Sequence, residues 1–263
     1  MVDLEKYGPW AVVVGGSEGV GAAFATQLAE AGMNLVLLAR KPVPLEETAI
    51  ACRALGVEVH CLGIDLTEPG AAEDVIAETT GLDVGLLILN AGANTHSEEF
   101  LDGDLEQFGK VIALNITTPL TLVQHYGREM RERGQGGIVL VGSMASYMGS
   151  TRHTVYGGVK AFSRIFAESL WLELREDGVD VLELVLGVTR TPAMERVGLD
   201  FEIPGMKVAE PADVAREGLA NLGSGPVHVA AGNDAYLAVH ADPDRAKVVL
   251  GAHQFISALM GKG

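Results

Sequence analysis

The chain has 263 residues, of which 48% are hydrophobic and 21% are charged, which is the balance of a folded globular protein rather than a disordered one. Its formal net charge is −16, and a surface this acidic repels phosphate backbones, so we expect no nucleic-acid partner. Cys52 and Cys61 predict two free thiols in a reducing compartment, hence a cytoplasmic protein. The longest apolar runs, residues 35–39 and 86–89, are far too short to span a bilayer, so we expect no membrane insertion.

Apolar segments of strand length alternate with longer segments of helical pattern along the chain. Continuous apolar runs are typical of strands that are covered on both faces, and the alternation favours right-handed crossovers and a parallel sheet. The predicted strands are residues 11–14, 35–39, 57–64, 86–89, 138–141, 179–186 and 227–230, and the predicted helices are residues 20–31, 45–55, 71–79, 105–133 and a last one carrying residues 156–175. No linker, internal repeat or break in composition divides them, so we expect an α/β fold in a single domain, residues 1–263.

Residues 192–209 depart from this regular pattern. The segment contains two prolines and two glycines between a strand and a helix. Its large apolar side chains are Met194, Val197, Leu199, Phe201, Ile203 and Met206. Such a segment indicates either a lid over a hydrophobic substrate or a loop that packs on an oligomer interface.

Tyr156 and Lys160 are four residues apart on the last predicted helix, so they project from one face of it. An ammonium beside a phenol favours the phenolate, which allows the tyrosine to exchange protons nearer neutral pH. Ser143, thirteen residues before the tyrosine, can hold a carbonyl or alcohol oxygen if the fold brings it close. Such a trio suits proton transfer coupled to hydride transfer, provided that the chain also binds a nicotinamide cofactor.

A glycine-rich segment, residues 15–21 with the sequence GGSEGVG, follows the first predicted strand and opens the first helix. Glycine permits a tight turn and lets a pyrophosphate approach the helix N-terminus closely. The spacing is G-x-x-x-G-x-G rather than G-x-G-x-x-G, so a purely structural turn is the alternative interpretation. The charge of Glu18 disfavours a phosphate ligand unless this side chain points to solvent.

Arg40 follows the second predicted strand, where a site for NAD typically has an acid that binds the ribose 2′-hydroxyl. An arginine suits a 2′-phosphate instead, and the neighbouring Lys41 adds to the positive field. A solvated arginine at the end of a strand is the alternative interpretation. The sequence therefore favours NADP(H) over NAD(H) as the cofactor.

Together and in this order, the motifs resemble those of the short-chain dehydrogenase/reductase superfamily over nearly the whole chain. The matching residues are Gly15, Gly19, Gly21, Asp65, Asn90, Ala91, Gly92, Asn115, Ser143, Tyr156, Lys160, Gly187 and Thr191. The resemblance implies a Rossmann-type doubly wound parallel sheet and no metal site. It places the cofactor at Gly15, Ser17, Glu18, Gly19, Val20, Gly21, Arg40, Asp65, Leu66, Asn90, Ala91, Gly92, Tyr156, Lys160, Val188, Thr189 and Thr191.

The resemblance also implies a role for each catalytic residue. Tyr156 exchanges a proton with the substrate oxygen, and Ser143 donates a hydrogen bond to that oxygen. Lys160 lowers the pKa of the tyrosine and binds the nicotinamide ribose, while Asn115 holds a water that relays protons to the lysine. These roles define the reaction as the interconversion of a carbonyl and a secondary alcohol.

Two positions depart from the superfamily pattern. Val14 stands where a threonine is usual, which removes a side-chain hydrogen bond that can brace the glycine loop. Leu186 stands where a proline is usual, which loosens the backbone that approaches the nicotinamide. Neither departure removes a reacting group, so we expect effects on affinity and loop order rather than on chemistry.

The N-terminal part resembles a particular branch of the superfamily. Residues 7–15, 18–21 and 32–40 are similar to those of very-long-chain 3-ketoacyl-CoA reductases and related 17β-hydroxysteroid dehydrogenases. That branch also carries an acid at the position of Glu18 and uses NADPH. The resemblance therefore implies that Glu18 is compatible with NADPH.

We therefore expect an NADP(H)-dependent oxidoreductase that interconverts a carbonyl and a secondary alcohol on a small lipophilic substrate, such as a 3-oxoacyl thioester or a ring ketone rather than a sugar. The family implies a homodimer or homotetramer formed through the two long helices. Two alternatives remain open. A noncatalytic NADP(H)-binding sensor would keep the cofactor site without the chemistry, and a methyltransferase would have a similar glycine loop but no need of Tyr156 and Lys160.

Overall fold

The structure is a computed structural model that describes residues 3–203, 205–240 and 242–259. In these residues, seven parallel strands form one sheet in the order β3-β2-β1-β4-β5-β6-β7. The strands are β1 (Trp10–Val14), β2 (Asn34–Ala39), β3 (Val59–Gly63), β4 (Val84–Leu89), β5 (Gly136–Ser143), β6 (Val179–Leu186) and β7 (Val227–Val229). The predicted Rossmann-type doubly wound sheet is confirmed. The strand order reverses between β1 and β4, and ligands of such folds bind in the crevice at that point.

Helices cover both faces of the sheet and carry the predicted crossovers. They are α1 (Leu4–Tyr7), α2 (Gly19–Glu30), α3 (Pro42–Arg53), α4 (Ala71–Glu78), α5 (Leu105–Ile112), α6 (Thr118–Arg133), α7 (Thr154–Leu174), α8 (Pro192–Arg196), α9 (Pro211–Asn221), α10 (Asp234–His240) and α11 (Arg245–Leu259). Among the described residues, no helix combines the length and the apolar character that a bilayer crossing requires.

The sheet separates two apolar cores. On one face, Phe24 and Leu28 of α2 pack among side chains of the central strands and are fully buried. On the other face, Leu122 and Tyr126 of α6 occupy the equivalent place. Because both faces are covered, every residue of β1 is buried, which explains why the central strands are apolar throughout.

The long predicted helix over residues 105–133 is continuous but not uniform. A single π-helical turn, Ala113–Thr117, lies between α5 and α6. Single π turns widen a helix locally and often occur at functional sites. This one contains Asn115, which the turn places in the crevice described below.

Candidate active site

Ser143 and Tyr156 come from neighbouring elements at the carboxyl end of the sheet. Ser143 is the last residue of β5, and its Oγ accepts a hydrogen bond from the backbone N–H of Ala145 (3.1 Å), which starts a short turn. Tyr156 lies in the first turn of α7 and is half-buried. Burial raises the pKa of Tyr156 above its ordinary value, and the hydroxyl of Ser143 acts in the opposite direction.

Lys160 lies one turn further along α7 and is 6% exposed. Its Nζ donates a hydrogen bond to the carbonyl of Val141 (3.0 Å) and lies 5.8 Å from the centre of the Tyr156 ring. Burial lowers the pKa of Lys160 to about 8 because the charged form loses its hydration. In this structure, burial outweighs any effect of the ammonium on the phenol, so a lowered tyrosine pKa stays a prediction for the cofactor-bound enzyme.

Asn115 and Lys160 converge on Gly92. A Cβ atom on Gly92 would lie 2.6 Å from Lys160 Nζ and 2.8 Å from Asn115 Oδ1, so no larger residue fits there. Asn115 Nδ2 donates to the carbonyl of Val111 (2.9 Å), but its buried Oδ1 has no hydrogen-bond partner in the described residues. A cavity of about 20 Å³ adjoins Asn115 and Lys160, and this volume holds one water molecule.

The glycine loop between β1 and α2 has the backbone that its sequence predicts. Gly15 and Gly19 have φ values of 84° and 58°, which side chains disfavour. A Cβ on Gly21 would lie 1.9 Å from the carbonyl oxygen of Gly15. Ser17 lies in the turn and Val20 is buried at the start of α2. The loop therefore leads backbone N–H groups to the N-terminus of a 12-residue helix, where phosphates bind favourably.

Val14 stands where a threonine is usual in the superfamily, and hydrogen bonds from other residues hold the glycine loop instead. Asn90 Nδ2 donates to the carbonyl of Gly15 (2.9 Å), and Thr48 Oγ1 donates to the carbonyl of Ser17 (3.1 Å). The backbone N–H groups of Asn90 and Ala91 both bond to the carbonyl of Val14, at 3.0 and 2.7 Å. The loop is thus fixed from β4 and from α3.

Glu18 does not project freely into the phosphate site. Its carboxylate forms a two-point ion pair with the guanidinium of Arg196 on α8, with a distance of 2.9 Å from Nη1 to Oε2. Hydrogen bonding to Arg196 lowers the pKa of Glu18, against the smaller effect of burial. The charge that seemed unfavourable for a phosphate ligand is therefore compensated within the protein.

Arg40 and Asp65 lie together at the ends of β2 and β3, 3.7 Å apart. The Asp65 carboxylate also accepts hydrogen bonds from the backbone N–H and the hydroxyl of Thr67, at 3.0 and 2.9 Å. Burial alone would raise the pKa of Asp65, but these bonds and the Arg40 charge together lower it. Leu66 is buried beside them, and its carbonyl accepts a bond from Thr118 (2.8 Å).

The segment after β6 closes over the glycine loop. Thr189 is buried and forms a bridge with Ala209, while the carbonyl of Val188 accepts a bond from the N–H of Ala209 (2.9 Å). Thr191 caps α8 by accepting a bond from the N–H of Met194 (3.3 Å). A Cβ on Gly19 would lie 3.0 Å from Thr191 Cγ2. Thr191, a predicted cofactor contact after β6, therefore lies against Gly19, a predicted cofactor contact in the glycine loop.

The segment over residues 192–209 contains α8 and then irregular backbone. Met194, Leu199 and Phe201 are half-buried, whereas Val197 is 73% exposed. The ring of Phe201 lies under the guanidinium of Arg190, 4.6 Å from it. Ile203 and Met206 are half-buried as well, so five of the six large apolar residues of the segment are partly shielded from solvent within the chain.

A groove of about 360 Å³ opens between the turn after β5 and the start of α7, and Ser143, Tyr156 and Lys160 are not among the residues that line it. Its walls include Tyr147, Met148, His153, Gly157 and Arg245. The ring of His153 lies 6.2 Å from that of Tyr156. A groove of this size can hold part of a drug-sized molecule.

Sequence reasoning missed two charged residues near the site. Arg196 compensates Glu18, but no local pattern could reveal a pair that is 178 residues apart. Glu183 lies on β6 and is fully buried, and burial raises its pKa to about 8. The signal for Glu183 was a single acid inside the otherwise apolar run from Val181 to Leu186.

A crevice at the reversal of the sheet, with Ser143, Tyr156 and Lys160 at its edge, is typical of oxidoreductases whose fold binds a nicotinamide cofactor. A family model described as short chain dehydrogenase matches residues 9–200. The chain belongs to the short-chain dehydrogenase family.

Characterised relatives share most of the chain. The 7β-hydroxysteroid dehydrogenase of Collinsella aerofaciens is 36% identical over 191 residues, which are 72% of this chain and 72% of the relative. The very-long-chain 3-oxoacyl-CoA reductase of Podospora anserina is 35% identical over 227 residues, which are 82% of this chain and 66% of the relative. The resemblance to the 3-ketoacyl-CoA reductase branch is therefore confirmed.

Solved structures are similar over almost the full length. A 7β-hydroxysteroid dehydrogenase structure superposes with a TM-score of 0.86 at 30% identity, covering 95% of this chain and 98% of the other. A short-chain dehydrogenase from Sphingobium yanoikuyae in complex with NADPH has a TM-score of 0.77 at 29% identity, covering 95% of each chain.

Proposed function

We propose that the protein is an NADP(H)-dependent oxidoreductase that interconverts a lipophilic ketone and its secondary alcohol. The observation that carries this proposal is the convergence of Lys160 and Asn115 on Gly92, beside Tyr156 and Ser143. Proton transfer needs an acid of adjustable pKa, a partner for the substrate oxygen and a path for protons to leave. The four side chains supply these functions from fixed helices and strands.

The crevice fits a dinucleotide. The glycine loop has no room for side chains at Gly15 and Gly21, and it leads into a helix N-terminus. NADPH supplies the hydride when it is bound. Lys160 would bind the ribose hydroxyls, and the segment from Val188 to Thr191 would hold the carboxamide end.

Within this site, Tyr156 donates a proton to the carbonyl oxygen during reduction. Ser143 donates a hydrogen bond to the same oxygen and thereby keeps it within reach of the phenol. The proton is replaced through Lys160 and a water in the cavity beside Asn115, whose unpartnered Oδ1 would accept a hydrogen bond from that water. In the alcohol-oxidising direction, each proton moves the opposite way.

The preference for NADP(H) over NAD(H) rests on Arg40. Its guanidinium is 56% exposed at the end of β2 and its partner Asp65 is 3.7 Å away, so it is free to turn toward a 2′-phosphate. An arginine binds phosphate in a bidentate manner. The NADPH complex of the Sphingobium relative is consistent with this choice.

The lipophilic substrate is inferred from residues 192–209 and from the relatives. Five of the six large apolar residues of this segment are half-buried, and its helix α8 is joined to the glycine loop by the ion pair of Arg196 with Glu18. The named relatives act on hydroxysteroids and on 3-oxoacyl-CoA, which are a ring ketone or alcohol and an acyl ketone. We propose a substrate of one of these two chemical types.

We also propose a single catalytic domain over residues 1–263, a cytoplasmic location and a homodimer or homotetramer. Both cysteines are free, which suits a reducing compartment. Large apolar side chains are exposed on the long helices, as an interface between copies requires. They are Leu105, Ile112, Leu120, Phe162, Ile165 and Leu172.

Substitution of Tyr156 by phenylalanine tests the chemistry. We expect Tyr156→Phe to lose about 10²–10⁴-fold in turnover of a ring ketone or 3-oxoacyl thioester, with NADPH binding retained by fluorescence titration. Tyr236→Phe on α10, outside the lining of the groove, is the matched control and should keep activity. Wild-type turnover in Tyr156→Phe would reject the mechanism, and NADPH binding without turnover of any carbonyl by the wild type would favour the sensor.

A further inference from the structure

A buried carboxyl group lies behind the catalytic lysine. Glu183, in the middle of β6, is 0% exposed. Its Oε1 occupies the space over Gly142 of β5, since a Cβ on that glycine would lie 2.1 Å away. Within the described part of the chain, neither carboxyl oxygen has a hydrogen-bond partner in bonding geometry. An acid buried in this way costs stability, so its presence calls for a functional explanation.

The carboxyl and the lysine meet β5 at consecutive residues. Lys160 Nζ bonds to the carbonyl of Val141 (3.0 Å), and the Glu183 carboxyl lies against Gly142, the next residue. Glu183 faces the side of the sheet that α7 covers. Ser163 of α7 is buried there, and its hydroxyl favours the charged form of Glu183.

Ser163 also links this carboxyl to the proton path. Together with Lys160 and Asn115, it lines the cavity of about 20 Å³. Asn115, Lys160 and Ser163 thus surround the space for one water, and Ser163 is the member of this set that neighbours Glu183. All of these side chains are buried, so bulk water does not screen the charges among them.

We propose that Glu183 is a positioning residue for the catalytic lysine: its buried carboxylate supplies the counter-charge that keeps Lys160 in the ammonium form as the pH rises. This inference rests on the proposed function for its effect on turnover. Its structural part, the control of Lys160 by Glu183, applies to the protein without cofactor or substrate.

The other groups that face Glu183 do not replace this pairing. From α7, Arg164 favours the charged form of the carboxyl and Glu168 disfavours it, and these two residues form an ion pair of 2.9 Å with each other. Tyr147 lies on the turn after β5, and burial raises the pKa of its phenol, which disfavours the charged form. The strand neighbours Leu140 and Val227 are apolar.

The pKa values of Lys160 and Glu183 move in opposite directions, which supports the interaction of the two groups. Burial lowers the pKa of Lys160, and the Glu183 charge acts to raise it. Burial raises the pKa of Glu183, and the Lys160 charge acts to lower it. Ionisation of the carboxyl therefore delays the loss of the lysine proton, because an opposite charge favours the charged form.

The test compares Glu183→Gln, Glu183→Asp and Glu168→Gln in the full chain. With an active ketone and NADPH, Glu183→Gln should shift the alkaline limb of the kcat profile to lower pH by about one unit, and Glu183→Asp should restore part of the shift. Glu168→Gln removes a carboxylate nearer to solvent from α7, the helix that carries Lys160. This variant should leave the alkaline limb of the kcat profile in place. An unshifted limb in Glu183→Gln would overturn the proposal.

A second measurement does not depend on activity. In protein labelled with ¹³C at lysine Cε, Glu183→Gln should lower the titration midpoint of Lys160 without cofactor present, and an unchanged midpoint rejects the counter-charge. In the wild type, ¹³C-carboxyl titration should show Glu183 ionising before Lys160, and the reverse order also rejects it. If no carbonyl is reduced but Lys160 shifts as expected, the proposed function fails while the control of Lys160 by Glu183 stands.

Discussion

The carboxylate of Glu18 and the guanidinium of Arg196 form a two-point ion pair that joins the glycine loop to α8. The pair has two consequences for a dinucleotide. It compensates a negative charge in the glycine loop, where we propose that the phosphates bind, and it fastens the segment after β6 to that loop. Opening of the segment must therefore separate these two residues.

Removal of this ion pair should weaken the binding of cofactor. We expect Arg196→Ala to raise the Kd of NADPH about two- to fivefold, because Glu18 then repels the phosphates and the pair is partly exposed. Stopped-flow fluorescence should show the change mainly as faster release. Arg190→Ala, which removes ion pairs to Glu202 and Glu210 of the same region, is the control. Equal release rates for the wild type and Arg196→Ala would exclude this role.

Arg40 should determine the choice between the two nicotinamide cofactors. Arg40→Asp should weaken NADPH binding about tenfold or more, because a charge-assisted contact is lost and the new acid repels the 2′-phosphate near Asp65. Titration of both cofactors should show the preference erased or reversed. Lys41→Ala is the control: it removes the neighbouring positive charge and should keep the preference for NADPH, since Arg40 remains. An unchanged ratio of the two affinities in Arg40→Asp would leave the preference without this explanation.

The segment over residues 192–209 should recognise the apolar body of the substrate. Met194→Ala and Phe201→Ala should flatten the rise of kcat/KM with the apolar size of the ketone, since burying one such side chain contributes about 1.5–3 kcal/mol. Val197→Ala, in the same segment but 73% exposed, should keep the wild-type dependence. If all three variants keep it, the segment does not contact the substrate.

Glu183 should make the stability of the protein fall as the pH rises. The folded protein holds the carboxyl proton up to a pKa of about 8, whereas the ordinary value is 4.5, so between these values the unfolded chain binds fewer protons. Relative to Glu183→Gln, the wild type should lose on the order of a few kcal/mol in free energy of unfolding from pH 5 to pH 8, at 1.36 kcal/mol per pKa unit.

Denaturant unfolding at each pH measures the free energy of unfolding of the wild type and of Glu183→Gln. The contributions of the other titrating groups cancel in the difference between the two proteins. Glu168→Gln provides the comparison, since it removes a nearby carboxylate from a side chain that is 39% exposed. A flat difference for Glu183→Gln would show that the carboxyl is solvated in the folded protein. Lys160, whose pKa is lowered, acts in the opposite direction and at higher pH.

The positions of the strands were predictable from the sequence. Strands that are covered on both faces are apolar at every position, so they stand out as continuous apolar runs. The predicted strand at residues 57–64 is shorter in the structure, since pairing with β2 begins at Val59. β5 is longer than predicted because its ends contain Gly136, Gly142 and Ser143, which carry no apolar signal. Helices α10 and α11 were not predicted; they follow the last strand, where no alternation of elements gave guidance.

The proximity of candidate site residues was predictable where they are close in sequence. Tyr156 and Lys160 share one helix face, and the glycine loop follows its strand directly. The contacts of Glu18 and Glu183 were not predictable, because each depends on a residue brought from a distant element: Arg196 for the first and Gly142 for the second. Periodicity shows which residues are apolar, but not which polar residues share a cavity.

Because of the π turn at Ala113–Thr117, the position of Asn115 depends on the number of residues between α5 and α6. A π turn accommodates one more residue than an α turn, so the helix could close into regular α form if one residue were deleted between Leu105 and Asn115. That deletion would remove the widened turn that places Asn115 beside Gly92 and Lys160, while α5 and α6 kept their apolar faces. Descendants of this chain should therefore tolerate substitutions in α5 more readily than a single-codon deletion there.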